Sequence, residues 1–289
     1  MIVRCVAAAA VLAWAGTALA QPAALYPDTL LAARQPGYLS GLQGNVTDIV
    51  WPRLSAPERA ALSGLQLRLE PRLADDEPFG FRAQGTEVVL STASLVFLND
   101  LTAAAAWLSV NGYELSTLTD YMMMLRRWTA ADGPPPAPRP ALCIPPDALD
   151  APRVAERAQQ MFDELAMFVL LHEVGHVLHR DRPDVAPAQS RDQEEAADRF
   201  ALDVLARLNV APLGLAVLFP AMAYFQEIPA AAASDTAWGE MVARHTHPLS
   251  PARLRAAALH LAGGGHGFAP GGPPGSPPGS PPGSPPGSA

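Results

Sequence analysis

The chain has 289 residues, with 20 basic side chains against 28 acidic ones, a formal net charge of −8, and no lysine at all. That balance offers no basic face for nucleic acid, and this class of function is set aside. Two cysteines, Cys5 and Cys143, leave little scope for a disulfide framework, so stability has to come from packing.

The first twenty residues read "MIVRCVAAAAVLAWAGTALA": one basic residue, Arg4, then an apolar run, then a small-x-small ending at Ala20. This is the pattern of a signal peptide cleaved after Ala20, and the run is shorter than the roughly 20 apolar residues that a membrane span needs. Cleavage would remove Arg4 and Cys5, which leaves 19 basic against 28 acidic side chains, a net charge of −9, and Cys143 as the sole thiol. Cys5 precedes the apolar run and so is not placed for lipid attachment. With no further uncharged apolar segment approaching membrane length, the expectation is a soluble periplasmic or secreted protein with no transmembrane segment after cleavage. At the other end, residues 263–289 run through "GGGHGFAPGG" into four copies of "PPGS". The four-residue period excludes collagen and offers no apolar face, so a disordered tail is expected. Residues 21–262 remain as one domain, a size sufficient for a single core.

From Pro27 to Arg72 the pattern mixes short amphipathic runs with Pro and Gly, and only "RLSAPERAALSGLQ" is legible, with Ser55 as a helix cap ahead of Pro57. Thr86 to Leu90 suits a short strand, and Ser91 or Thr92 can cap an apolar helix after it. A second helix is expected over Leu115 to Thr129, its "YMMML" serving as core filling. Asp132 to Asp147, "DGPPPAPRPALCIPPD", is too proline-dense for helix or inner strand. A long helical pattern opens at Asp150, where Val154, Met161, Leu165, Phe168, His172, His176 and His179 recur on one face. Asp181 to Ser190 breaks it; Ser190 can cap a helix from Arg191 to Leu208, and a last helix covers Pro251 to Leu261. The expected fold class is α+β, mostly helical with a small sheet.

Within the long helix stands "LLHEVGHVLH", Leu170 to His179. Residues four apart differ by about 40° around the axis and rise about 6 Å, so His172 and His176 project together and can grip one ion, while Glu173 lies about 100° to the side. This is the chemistry of H-E-x-x-H: zinc brings the pKa of water towards neutrality, and the glutamate removes and relays its proton. The competing explanation is a buried helix whose histidines have their ring nitrogens satisfied by other means. A metal would satisfy one nitrogen of each ring at once, and Gly175, poor helix filler, allows another backbone or a substrate to come close.

The next helix supplies candidates for a third ligand. Glu194 and Asp198 in "RDQEEAADRFA" are four apart and share a face, so Glu194 can bind zinc while Asp198 accepts a hydrogen bond from a ligand histidine. Glu195 is the rival, off that face. Carboxylates are also favoured near a helix start without any metal, although Ala196, Ala197 and Ala201 suit close packing on the preceding helix.

These motifs resemble a known group. "HEVGH" followed by "RDQEEAADRFA" is similar to the gluzincin zinc metallopeptidases, and Arg191, Glu194, Ala197 and Asp198 reproduce the R-x-x-E-x-x-A-D form of the HtpX and CAAX prenyl protease family. "THPLSPARL", with His247, Pro248 and Arg253, matches that family's histidine-proline and basic residue, and "GTEVVLSTASL" its edge strand and following helix. The resemblance spans about Thr86 to Leu254. It implies a zincin-like domain with an H-E-x-x-H active-site helix, one Zn2+ bound by His172, His176 and Glu194, Glu173 as base, and a peptide or protein substrate paired along the strand at Glu87 to Leu90. By the same analogy His247 would steady the oxyanion. It could instead cap the last helix, or act as a fourth ligand that closes the site. His245 is less favoured for each role; His179, His260 and His266 look incidental. The family's membrane helices have no counterpart in the mature chain, and the insertion from Asn99 to about Asp150 is larger than the family's and could wall the cleft. Two functions follow: an exported zinc metalloendopeptidase, or a non-catalytic cell-envelope binding or assembly protein that retains a closed structural zinc site. Oligomeric state is not legible.

Overall fold

A computed structural model describes residues 25–73, 78–129, 132–183, 185–226, 236, 247 and 249–263. The leader Met1–Ala20, the repeats from Pro273 onward, and His245 and His266 lie outside them, as does the side chain of His260. Nine α-helices are described: α1 Asp28–Gly44, α2 Ala56–Ala61, α3 Thr92–Val110, α4 Ser116–Arg127, the one-turn α5 Pro138–Ala141, α6 Pro152–His179, α7 Pro187–Arg207, α8 Leu215–Gln226 and α9 Pro251–Gly263. Three strands, β1 Gln66–Glu70, β2 Phe81–Gln84 and β3 Glu87–Ser91, form one sheet of order β1-β3-β2. The mostly helical α+β class is therefore observed.

The local reasons are visible at the element ends. Ser55 caps α2 through a reciprocal bond with Glu58: Ser55 N donates to Glu58 Oε2 at 2.5 Å and Glu58 N to Ser55 Oγ at 3.4 Å. Ser91 caps α3 by accepting from Ser94 N at 3.3 Å. Three boundaries differ from expectation, each because of proline. α6 opens at Pro152, two residues after Asp150, because a proline loses nothing at the first helical position. α7 opens at Pro187 and not after Ser190, whose N–H already bonds Ala186 O at 2.9 Å. The proline-dense loop does hold one helical turn, α5, with Pro138 and Pro140 where no intrahelical donor is required.

β1 runs parallel to β3 and β2 antiparallel, with Phe81 opposite Leu90 and Ala83 opposite Val88. Leu69, Val88, Leu90 and Phe81 make the buried face of this sheet. β3 is thus the central strand, paired on both sides. The expectation that Glu87 to Leu90 is the edge is corrected: β2 is the edge, and its antiparallel return through Gly85, at φ 63°, carried no signal strong enough to reveal it in the sequence. Ser91 N donates to Gly80 O at 3.0 Å, so the alternation of an antiparallel ladder turns the backbone groups of Phe81 and Ala83 away from β3, towards the free edge.

α3 and α6 pack along each other through the centre, with α1 and α8 also against α3 and α7 on the far side of α6. Among the described residues α3 is the one helix with the length and apolarity of a membrane span, yet 72% of that window is buried inside the domain, as the core helix of this fold. Phe79 meets Phe97 of α3 and Phe225 of α8 edge-on, tying the approach to β2 into the same core.

Candidate metal centre

The C-terminal half of α6 carries His172, Glu173 and His176, and α7 lies against it. The contact is close because Gly175 has no side chain: a Cβ there would stand 3.0 Å from Ala197 Cα and 3.3 Å from Ala197 O. Of the two uses suggested by Gly175, the approaching group is therefore a backbone. Ala197 and Ala201 are fully buried while Ala196 is only partly so. This proximity brings Glu194 and Asp198 onto the histidines.

His172 Nδ1 lies 2.8 Å from Asp198 Oδ1, and His176 Nδ1 lies 2.8 Å from Asp181 Oδ2. Carboxylates only accept, so both Nδ1 atoms carry the proton and both Nε2 atoms present lone pairs. Those lone pairs face each other at 3.1 Å. Glu194 adds Oε2 at 3.4 Å from His172 Nε2 and Oε1 at 3.5 Å from His176 Nε2. His247 adds Nδ1, 3.2 Å from His172 Nε2 and 3.4 Å from Glu194 Oε2, while its Nε2 donates to Phe81 O at 2.9 Å. One donor atom from each of the four residues falls within 4.8 Å of the others. Ligand bonds of 2.0–2.2 Å in tetrahedral coordination place donor atoms about 3.3–3.6 Å apart, and these five separations sit at or near that range. Acceptor atoms converging in a buried space repel one another unless a cation lies among them, so the donor set fits a metal ion.

Asp181 reaches His176 because of how α6 ends. Arg180 takes a left-handed conformation, φ 56°, and Asp181 N then donates back to His176 O at 3.0 Å and Arg180 N to Val177 O at 3.2 Å. The same turn that stops the helix delivers the acid that orients His176. His179, by contrast, is exposed and rests on Phe200, and Glu195 is half-buried outside the cluster.

Behind the ligands lies Arg253 of α9, 3% exposed. Its Nε and Nη2 donate to Asp198 Oδ2 and Oδ1 at 2.7 and 2.9 Å, and its Nη1 to Glu194 Oε2 at 2.7 Å. Burial alone would raise the Glu194 and Asp198 carboxyls, but Arg253 together with the neighbouring histidines outweighs it and holds both below the usual carboxylate range, Glu194 well below. Glu173 is fully buried, and by geometry neither of its oxygens has a hydrogen-bond partner among the described residues. His247 Nε2 stands 3.0 Å from Glu173 Oε1, but its N–H points at Phe81 O. Burial raises the Glu173 carboxyl, and the charge of the neighbouring histidines, His247 first, brings it below its ordinary value when they are protonated. A buried carboxylate without a hydrogen-bond partner beside a metal-binding cluster is placed to take a proton.

Sequence reasoning gave no roles to Asp181, to Arg253 or to Gln226, whose side chain bonds the backbone of His247 and Leu249. The cluster opens onto a cleft of about 290 Å3 bounded by β2, by Gly85 after it, and by His176, Asp181, Arg182 and Glu194.

A mostly helical α+β domain with a buried His/Glu cluster able to take a metal ion is a frame suited to hydrolytic enzymes. A family model for Peptidase U49 matches residues 109–269, more than half of the chain and all of the cluster, and the chain belongs to that peptidase family. Comparison with curated proteins and with solved structures returns no match to either.

Proposed function

We propose that this peptidase is an exported, zinc-dependent metalloendopeptidase with a zincin-like domain of the HtpX and CAAX prenyl protease type, acting in the periplasm or outside the cell. The observation that carries the reading is the convergence of His172 Nε2, His176 Nε2 and Glu194 on one point, with both Nδ1 atoms already committed to carboxylates. A bound zinc ion would acidify water and polarise a peptide carbonyl. Its holders would be His172, His176 and Glu194, with Asp198 and Asp181 fixing the tautomers. Glu173 takes the proton from the attacking water and hands it to the leaving amine nitrogen, which its burial and its lack of a committed partner support. An extended peptide would pair along the free edge of β2, where Ala83 offers both backbone groups.

His247 supports a second reading. With Nε2–H spent on Phe81 O and Nδ1 turned into the donor set, it is arranged as a ligand and not as a hydrogen-bond donor to an oxyanion. A zinc held by four protein ligands would be a closed structural site, and the chain a non-catalytic binding or assembly protein of the cell envelope. Glu173→Gln separates the readings. It should retain stoichiometric zinc and lose peptide cleavage by at least about a hundredfold. Cleavage unchanged in Glu173→Gln removes that residue from the role of base. Wild-type protein that shows fourfold protein ligation by X-ray absorption and cleaves nothing establishes the closed site.

A further inference from the structure

α8 is tied to α6 at one end and to the metal centre at the other. At its start, Gly214 N donates to the buried Glu164 Oε2 of α6 at 3.0 Å, and the helices touch so closely that a Cβ on Gly214 would stand 2.5 Å from Met161 O. At its end, Gln226 is 4% exposed and uses both halves of its amide on one stretch of backbone. Nε2 donates to His247 O at 3.1 Å and Oε1 accepts from Leu249 N at 2.9 Å. Two bonds from one planar group fix both the place and the rotation of that stretch. From there the chain enters α9, where Ser250 Oγ accepts from Arg253 N at 3.1 Å and Arg253 reaches Asp198 and Glu194. The path closes on itself: α6, α8, Gln226, the 247–253 segment, then Glu194 and Asp198, and back to His172 on α6.

We propose that Gln226 is a positioning residue of the metal centre, setting the place of His247 and Arg253 through the backbone between them without touching the ion. The proposal rests on the metal-centre reading and adds to it Gln226, 50 positions beyond His176 and given no role by the motif, since its partners are main-chain atoms. The reason the amide is needed is geometric. His247 Nδ1 and the Arg253 guanidinium arrive from one short segment, so a small rotation there moves a candidate ligand and the counter-charge of another ligand together. Outer partners of this kind commonly change metal affinity by about 10–100-fold when removed.

The test uses the full chain and zinc alone. Gln226→Met keeps the length of the side chain and removes both bonds; Gln226→Glu keeps the acceptor for Leu249 N and sets a second acceptor against His247 O. Zinc affinity is measured by chelator competition, the coordination by the visible spectrum of the cobalt-substituted protein, and melting temperature with and without metal. The expected result is zinc binding weakened by about 10–100-fold in both variants with a changed cobalt spectrum, and a larger fall in melting temperature for the loaded than for the metal-free protein. Equal falls in both forms, with zinc affinity and cobalt spectrum as in wild type, make Gln226 a structural tie only and overturn the proposal. Should Gln226→Met not fold, Gln226→Glu alone decides on the same readouts. A wild-type chain that binds no zinc overturns the metal-centre reading, and the proposal with it.

Discussion

Helix α6 has two seams that are stabilised in different ways. Against α3 it presents an apolar surface, with Leu95, Leu98 and Leu101 of α3 buried and Leu170 of α6, on the face opposite the histidines, buried as well. Against α7 it presents Gly175 and two histidines, facing Ala197, Glu194 and Asp198, with Arg253 behind them. The first seam is held by area removed from water, which is non-directional and loses strength in proportion to what is cut away. The second is a set of buried charges, each tolerable only because the others are present, so removing one strands its partners.

The largest effect is expected where that stranding is worst. Arg253→Met leaves two buried carboxylates without their shared cation and should cost about 3–5 kcal/mol, together with most of the zinc affinity. Leu170→Ala on the opposite face should cost about 2–5 kcal/mol through the cavity it opens while binding zinc as the wild type does. Chemical denaturation of both variants with and without zinc makes the comparison. If the two change zinc affinity equally, the seams are not separate and the contrast fails.

Gly175→Ala should have a smaller effect with the sign set by packing. The added Cβ would press on Ala197 Cα at 3.0 Å, a backbone atom that cannot rotate aside. Overpacking of this kind costs about 1–3 kcal/mol, against roughly 1 kcal/mol gained by replacing glycine inside a helix. The net is a modest loss in melting temperature, partly restored when Ala197→Gly is added. A more stable Gly175→Ala would mean that α6 and α7 do not touch there.

What the sequence revealed follows the same division. His172 and His176, and Glu194 and Asp198, were legible because each pair repeats at one helical turn, a spacing that survives whatever the rest of the chain does, and Glu173 through its place in the H-E-x-x-H motif. Asp181 and Gln226 were not, and Arg253 stood out only as the basic residue of the resemblance without a role, because their partners lie five, 21 and 55 residues away along paths set by a helix stop and packed helices. α1 was hidden by Pro36 and its glycines, which argue locally against helix, and α8 by being apolar on every side, with Pro220 inside it. β3 was found and misassigned as the edge because the short β2 preceding it reads as loop; strand order is a tertiary fact that alternation alone does not encode.

The smallest predicted effect lies at a third contact, on the surface, and calibrates the other two. Arg207, the last residue of α7, donates Nη1 to Glu58 Oε2 at 2.8 Å and Nη2 to Glu58 Oε1 at 2.9 Å, joining α7 to the capping box of α2. Those bonds lower the Glu58 carboxyl from 4.5 to about 2. Because the folded value lies below the unfolded one, the contribution is complete above pH 4.5, fades as pH falls towards 2 and is absent below it. Both side chains keep contact with solvent, so the pair is worth about 0.2–1 kcal/mol at neutral pH. Arg207→Gln should therefore melt slightly below wild type at pH 7, with the gap narrowing between pH 4.5 and 2 and shrinking in high salt. Both proteins carry the same metal centre, so the difference between the two melting curves isolates the pair. A gap that stays constant through that range would mean that Arg207 acts through the packing of its aliphatic stem and its bond to Arg53 O, and not through its charge.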